Sequence, residues 1–397
     1  MTANSLEISI NADVFAWLYR TSGCDSSDVL DTIGISRERF DHYLQSHESV
    51  RLPVSDLKKL ATLYHRPITA FLIPAPPRNN TTPKDFRREP LAKDYSSDLC
   101  QKFIKAQRAL RLFAEMRNEL GDPSADTQQK YTLKDDPETA AKEERIRLGL
   151  DDISLSRDAN TAYSMWRDFF ADRGIPVFQY NLSTDGVAGF VTEWENARGI
   201  VVNSGYQVKG RIFTIFHEYA HILLGVDAGC SDIGYKASDA GINAIEHWCD
   251  WFAGAILMPE SLICGNAVIT KHLKNNEPIE AAKTLARIAT VSNQAALIRL
   301  RVCNLISPDA GAKELAQWKK DVSSQKMDVG RDEAEGAQKK KGGPDASKVR
   351  LSELGDSFVN LAGRSYDAGN ITYSTYLETL GISKRSHDRL VMSGDLE

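Results

Sequence analysis

The chain has 397 residues, a formal net charge of −5 and 42% hydrophobic residues. That length suits two or three domains with cores of their own, and the acidic balance argues against a generic nucleic-acid binder while leaving room for a local basic surface. Six cysteines, at 24, 100, 230, 249, 264 and 303, are scattered without a CxxC pair, which points to reduced thiols and the cytoplasm. The first residues lack the basic start and apolar core of a signal peptide. No apolar run approaches the ~18 residues that a membrane helix needs.

Residues 10–73 read as a compact helical unit. Asp13 to Arg20 carries Val14, Trp17 and Leu18 on one face. Ser26 or Ser27 can cap a second helix through Ile33, with Gly34 to end it. Ser36 caps a third, Arg37 to Gln45, and Pro53 to Tyr64 is a fourth with apolar residues at helical spacing. Pro67 to Ile73 is a short apolar fifth. Two short helices around Gly34-Ile35-Ser36 have the shape of a helix-turn-helix, although a small helical interaction domain fits the pattern equally. In the third helix Arg37 and Arg39 are offset by Glu38 and Asp41, which works against phosphate neutralisation. DNA contact and a dimerisation or docking role therefore both stay open.

Pro74 to Pro90 reads as a linker rich in Pro, Asn and Thr. Ser96 to Leu120 is a long helix whose Leu99, Phe103, Ala106, Leu110, Phe113 and Met116 follow a 3.6 period, as expected of a helix packed between domains. Thr139–Leu148 is a further, charge-rich helix. Gly189 to Trp194 and Gly199 to Asn203 flank Glu195–Arg198 as a hairpin. An extended peptide can add to an edge strand by main-chain pairing, so one of these strands is a candidate edge, though a purely structural hairpin reads as well.

The next segment carries the chemistry. His217-Glu218-Tyr219-Ala220-His221 reads HExxH inside an apolar run from Ile212 to Leu224. On a helix, residues four apart share a face, so both imidazoles can reach one metal. Glu218 lies about 100° further round, placed to take a proton from water that a zinc ion has made acidic. A third ligand is needed, and Asp227, Asp232, Asp239, Glu246 and His247 are the downstream candidates. A second amphipathic helix, Asn243 to Met258, closed by Pro259, places Glu246 in its first turn. A solvated first-turn acid fits that position as well as a ligand does. Beyond it, Lys313 to Lys348 is charged, with Lys339–Lys341 and Gly342-Gly343-Pro344, and reads as flexible surface. Residues 350–397 form a last helical module, through Tyr366, Ile371-Thr372 and Tyr376 to Ile382.

HExxH followed by a helix reading ExxCDxFAxxxLMP resembles the ImmA/IrrE metallopeptidase family (DUF955). The resemblance implies zinc held by His217, His221 and Glu246, with Glu218 as the catalytic base. The spacing from His217 to Glu246 (246 − 217 = 29 residues) is close to the family's. Asp250 stands where the family usually has Asn, which touches helix packing rather than the metal. The likeness extends from Ala162–Phe178, through the hairpin, to Val291–Leu300, roughly residues 140 to 310.

Residues 1–78 are similar to the XRE (Cro/C1-type) helix-turn-helix domain that often precedes such a peptidase. Glu48, Pro53, Leu57, Leu60-Ala61, Tyr64, Arg66-Pro67, Phe71-Leu72 and Asp85-Phe86-Arg87 carry this likeness. The departures are His47 for a usual Trp, no turn glycine near Val50, and a loop to Pro53 about a residue short. Gly369-Asn-Ile-Thr372 and Leu380-Gly381-Ile382 resemble the C-terminal extension of these fusions, a second helix-turn-helix-like element.

The expected fold is therefore α+β and mostly helical. It comprises a helix-turn-helix bundle (1–78), a linker and connecting helix (79–139), a zincin-like HExxH metallopeptidase domain with a small sheet (140–310), a charged segment (311–349) and a C-terminal helical module (350–397). The resemblance implies a zinc-dependent endopeptidase that cleaves a regulatory protein, such as a helix-turn-helix repressor or an antitoxin-like regulator, in stress or mobile-element control. Residues 10–73 would contact DNA or a partner, no membrane is expected, and a homodimer is possible. The alternative is a DNA-binding transcriptional regulator whose zinc domain senses or docks without proteolysis. Glu218 favours the enzyme, because a purely structural zinc site does not need it.

Overall fold

The structure is a computed structural model. It describes residues 7–76 (except 21, 23, 47, 48 and 65–67), 97–122, 130–182 (except 153–155 and 157), 187–225, 239–318, and 345–394 with 396. His47, Glu48, Arg66, Pro67, most of the expected linker with Asp85–Arg87, Asp227, Asp232 and Lys339–Lys341 lie outside the described residues. The described residues are mostly helical, with a two-stranded and a three-stranded sheet. The chain divides into two compact units, Met1–Lys105 and Ala106–Glu397.

In the first unit, β1 (Glu7–Ile10) pairs antiparallel with β2 (Val50–Pro53), Ile8 facing Leu52 and Ile10 facing Val50. Ile10, Val50 and Leu52 are buried, so the ribbon turns its apolar face to the core. Packed against it are the helices α1 (Ala12–Arg20), α2 (Ser26–Ile33), α3 (Arg37–Gln45) and α4 (Val54–Leu63). Asp25, not Ser26 or Ser27, caps α2: its carboxylate accepts from the Ser27 amide, and Asp28 reaches back to the Asp25 amide. That reciprocal pair satisfies two otherwise unpaired amides, which a serine one position later would not. Gly34 ends α2 in the left-handed region at φ 67°, and Ser36 caps α3. Phe15, Phe40 and Tyr43 meet edge to face in the core, with Leu57, Leu60 and Phe71 around them. The expected fifth helix is only a 3₁₀ turn, Ile68–Phe71.

The second unit takes in helix α5 (Ser97–Glu119) from Ala106 onward, α6 (Pro137–Leu148) and α7 (Ala159–Asp172). Its sheet has the order β3 (Val177–Tyr180), β5 (Ala197–Asn203), β4 (Gly189–Trp194). β5 is central, parallel to β3 and antiparallel to β4. Its Ile200-Val201-Val202 run is fully buried, as befits a strand covered on both faces. Two long helices follow, α8 (Val208–Leu224) and α9 (Asp239–Leu257), then α10 (Glu260–Gly265), α11 (Ala267–Lys274), α12 (Pro278–Ile288) and α13 (Asn293–Val302). Among the described residues no single helix is long and apolar enough to cross a membrane.

Four C-terminal helices complete this unit: α14 (Ala346–Leu354), α15 (Asp356–Asp367), α16 (Tyr373–Leu380) and α17 (Lys384–Met392). Phe358 of α15 lies against Phe113 of α5 and Phe178 of β3, with ring centroids 6.1 and 6.0 Å away. Arg167 of α7 donates to Val177 O and to Ser352 O, tying α14 to the sheet.

Candidate metal centre

α8 is apolar on nearly every side. Ile212, Ile215, Phe216, Tyr219, Ala220 and Leu223 are all buried. Phe216 stands edge to face on Trp166 of α7 at 4.8 Å, and Tyr219 Oη donates to the buried Glu144 of α6 at 2.6 Å. Gly225 stops the helix in the left-handed region, its amide bonded to the carbonyls of His221 and Ile222. The helix is therefore held rigidly, and His217 and His221, one turn apart, face α9.

α9 supplies the third donor. It begins at Asp239, earlier than the spacing of apolar residues suggests, so Glu246 lies two turns inside it rather than in its first turn. An interior position facing α8 makes Glu246 part of a cluster rather than a solvated helix-start acid. His217 Nε2 is 3.1 Å from Glu246 Oε2, His221 Nε2 is 3.4 Å from Glu246 Oε1, and the two Nε2 atoms are 3.2 Å apart. One ligand atom from each of these three residues falls within 4.8 Å of the others. Of the remaining candidates, His247 instead packs its ring on Trp251. Asp227 and Asp232 lie outside the described residues, as does the Asp239 side chain.

Asp250 has a role that sequence reasoning did not give it. Its Oδ1 lies 3.0 Å from His217 Nδ1. A carboxylate there accepts a proton held on Nδ1, which leaves the Nε2 lone pair directed at the cluster. The available signal was its spacing, four residues after Glu246 and so on the same helix face.

Glu218 is 2% exposed, and its Oε2 has no hydrogen-bond partner. Burial lifts its carboxyl to about 7, His217 pulls it down, and Glu246 adds to the rise. Burial opposes charge on His217. Hydrogen bonds to Asp250 and Glu246 and the charges of Glu218 and Asp250 outweigh that, raising the imidazole to about 10. His221 is pushed down to about 3 by burial and by its charged neighbour His217. The pocket thus stabilises one positive charge at the point where the Nε2 atoms meet. The two Nε2 atoms stand within hydrogen-bond distance of each other, and Glu246 Oε1 is buried beside them without a hydrogen bond. A divalent cation at this point would satisfy that oxygen and take both imidazoles as ligands, and a donor set of two imidazoles and a carboxylate suits zinc.

The sheet approaches this centre through β4, which is an edge strand among the described residues. A Cβ at Gly189 would stand 2.5 Å from Thr214 Cγ2, 2.7 Å from Val201 O and 3.3 Å from Glu218 Oε1. Only glycine lets the strand start so close to the Glu218 carboxylate. The other end of β4 is covered by α5, where Gln107 donates to Glu193 O at 3.1 Å and Arg111 lies over the Trp194 ring.

Residues 170–301 match the family model described as the IrrE N-terminal-like domain, Peptidase_M78. The match is to a metallopeptidase domain. It supports membership of these residues in the ImmA/IrrE group, and it implies a metal cofactor. A search of curated proteins gives no match to the chain. The metallopeptidase-like segment contains His217, Glu218, His221, Glu246 and Asp250. Two supports of the site fall outside it, on α6: Glu144 beneath Tyr219, and Glu138, which pairs with the buried Arg299 and accepts from Trp251 Nε1 of α9.

Proposed function

We propose that the chain is a zinc-dependent endopeptidase of the HExxH type, acting in the cytoplasm on a regulatory protein in stress or mobile-element control. The substrate class is a helix-turn-helix repressor or an antitoxin-like regulator, and residues 1–78 dock DNA or a protein partner. One observation carries the enzymatic part. The donor atoms of His217, His221 and Glu246 converge beside a buried carboxylate, Glu218, whose Oε2 has no partner. A zinc domain that only senses or docks has no use for that carboxylate. The resemblance, not the geometry, carries the choice of substrate.

His217 and His221 would hold the ion through Nε2, and Glu246 through its carboxylate. When bound, zinc supplies a Lewis acid that polarises a peptide carbonyl and lowers the pKa of water. Asp250 keeps the Nδ1 proton on His217 and so fixes its ring. Glu218, with a pKa near neutrality, takes a proton from water at Oε2 and returns it to the leaving amine. Metal analysis tests the centre: about one zinc per chain is expected, lost in His217→Ala and in His221→Ala, because two ligands do not hold zinc tightly. Near-stoichiometric zinc in either variant contradicts it.

A further inference from the structure

The helix-turn-helix geometry of the first unit recurs near the end of the chain, with a short stretch of similar sequence at its turn. Asp31-Thr-Ile-Gly34-Ile-Ser36-Arg37 returns as Glu378-Thr-Leu-Gly381-Ile-Ser383-Lys384, and Asp41 and Ser46 return as Asp388 and Ser393. The elements coincide as well. α2 and α16 have 8 residues each, and α3 and α17 have 9 each. Asp25 and Thr372 are the two N-caps. Gly34 (φ 67°, ψ 38°) and Gly381 (φ 68°, ψ 34°) turn the chain identically. Ser36 accepts from the Arg39 amide and Ser383 from the Ser386 amide. Phe40 and Tyr43 anchor α3 in its core; at the equivalent places His387 packs on Tyr373 and Tyr376, and Leu390 is buried.

The copies differ on the outward face of the second helix. α3 carries Arg37 and Arg39 against Glu38 and Asp41, so its charges cancel. α17 carries Lys384, Arg385 and Arg389 against Asp388 alone, and all four are exposed. Arg385 and Arg389 are one turn apart and share a face; Arg389 pairs with Asp345 yet keeps 60% of its side chain exposed. Thr372, Ser374 and Thr375 are exposed at the start of α16, where the first helix of such a motif meets a phosphate backbone; the Thr372 and Thr375 hydroxyls also bond each other in the helix cap. We infer that Thr372–Ser393 is a second helix-turn-helix unit that binds duplex DNA, with α17 as the helix presented to the groove. It is the better matched of the two copies to a polyanion. The inference does not depend on the peptidase reading.

The test uses the full chain and a labelled random-sequence duplex, with affinity measured across a salt series. Lys384→Ala with Arg385→Ala should weaken binding by about tenfold at low salt and flatten the slope of log affinity against log salt by about 1.8, near 0.9 for each phosphate no longer neutralised. Arg37→Ala with Arg39→Ala should change neither quantity as much. These side chains are exposed, so unchanged melting curves show that each variant is folded. Three results overturn the inference: no salt-dependent binding by the wild type, unchanged binding by the α17 variant, or loss confined to the α3 variant. Val391 and Met392 are exposed at the end of α17. Self-association of the wild type that is lost in Val391→Ser with Met392→Ser, without any DNA binding, would also overturn the inference and assign this face to a second copy of the chain.

Discussion

At the scale of single residues, the centre depends on which nitrogen of His217 carries the proton. Asp250 Oδ1, 3.0 Å from Nδ1, holds a proton there, so Nε2, which faces His221 and Glu246, is the nitrogen left to exchange its proton for a metal. An asparagine can accept that hydrogen bond through its carbonyl oxygen; alanine cannot. Asp250→Ala should therefore weaken zinc affinity by about 10- to 100-fold, while Asp250→Asn stays much closer to wild type. Competition with a chromophoric chelator measures this, and wild-type affinity in the alanine variant would show that Asp250 only packs the helices. HExxH was legible because the relation is local: four residues along a helix fix one face. Glu246 was chosen among five candidates by resemblance, since nothing local shows how two helices pair. Asp250 carries the same spacing signal, but spacing alone does not separate a carboxylate that orients a ligand from one that packs between helices.

Among the elements, β4 is placed by the absence of a side chain. Two of the three atoms nearest a Cβ at 189 are hard to move: Thr214 Cγ2 in α8, and Val201 O on the central strand. Gly189→Ala should cost about 1–3 kcal/mol, the usual cost of overpacking a filled core, and should push β4 away from Glu218. A thermal melt reads the first effect; an unchanged Tm would mean that the close approach is not tight. Gly189 was legible as a hairpin residue, but its neighbours come from α8 and β5, which sequence does not juxtapose. The β1–β2 ribbon escaped the sequence reading for a similar reason. Four-residue strands show little periodicity, and their pairing joins segments some forty residues apart. Long helices with strong apolar periods, α5 and α8, were legible to within a few residues, whereas the start of α9 was not.

Over the whole molecule, the second unit holds its C-terminal helices by aromatic packing around Phe358 and by an ion pair at the end of α5. Arg364 of α15 donates to both oxygens of Asp122, at 3.0 and 3.2 Å. That hydrogen bond outweighs the opposing effect of burial and, with the charges of Arg364 and Arg117, holds the Asp122 carboxyl below its ordinary value. A depressed carboxylate stabilises the fold above its unfolded pKa, about 4, and the gain disappears as pH falls through the lower folded value. Arg364 is 56% exposed, so solvent screening limits the pair to about 0.5 kcal/mol. Arg364→Ala should thus lower Tm by about 1 °C at neutral pH and leave it unchanged well below pH 4. An equal gap at both pH values would assign the loss to packing. The sequence showed a helical module here, but its docking onto β3 and α7 rests on Arg167 and Phe358, whose partners lie far away in the chain.

Glu218→Gln tests the central claim most directly. The substitution keeps the side-chain volume, removes the group that takes the proton, and leaves His217, His221 and Glu246 untouched. Wild type and variant are incubated with candidate repressors encoded nearby, and intact substrate is followed over time. Zinc content and melting temperature should be unchanged, and cleavage should fall by at least the ~100-fold expected for loss of a general base. A variant that cleaves or regulates its target as well as wild type would contradict the peptidase reading and favour a zinc domain that acts without proteolysis.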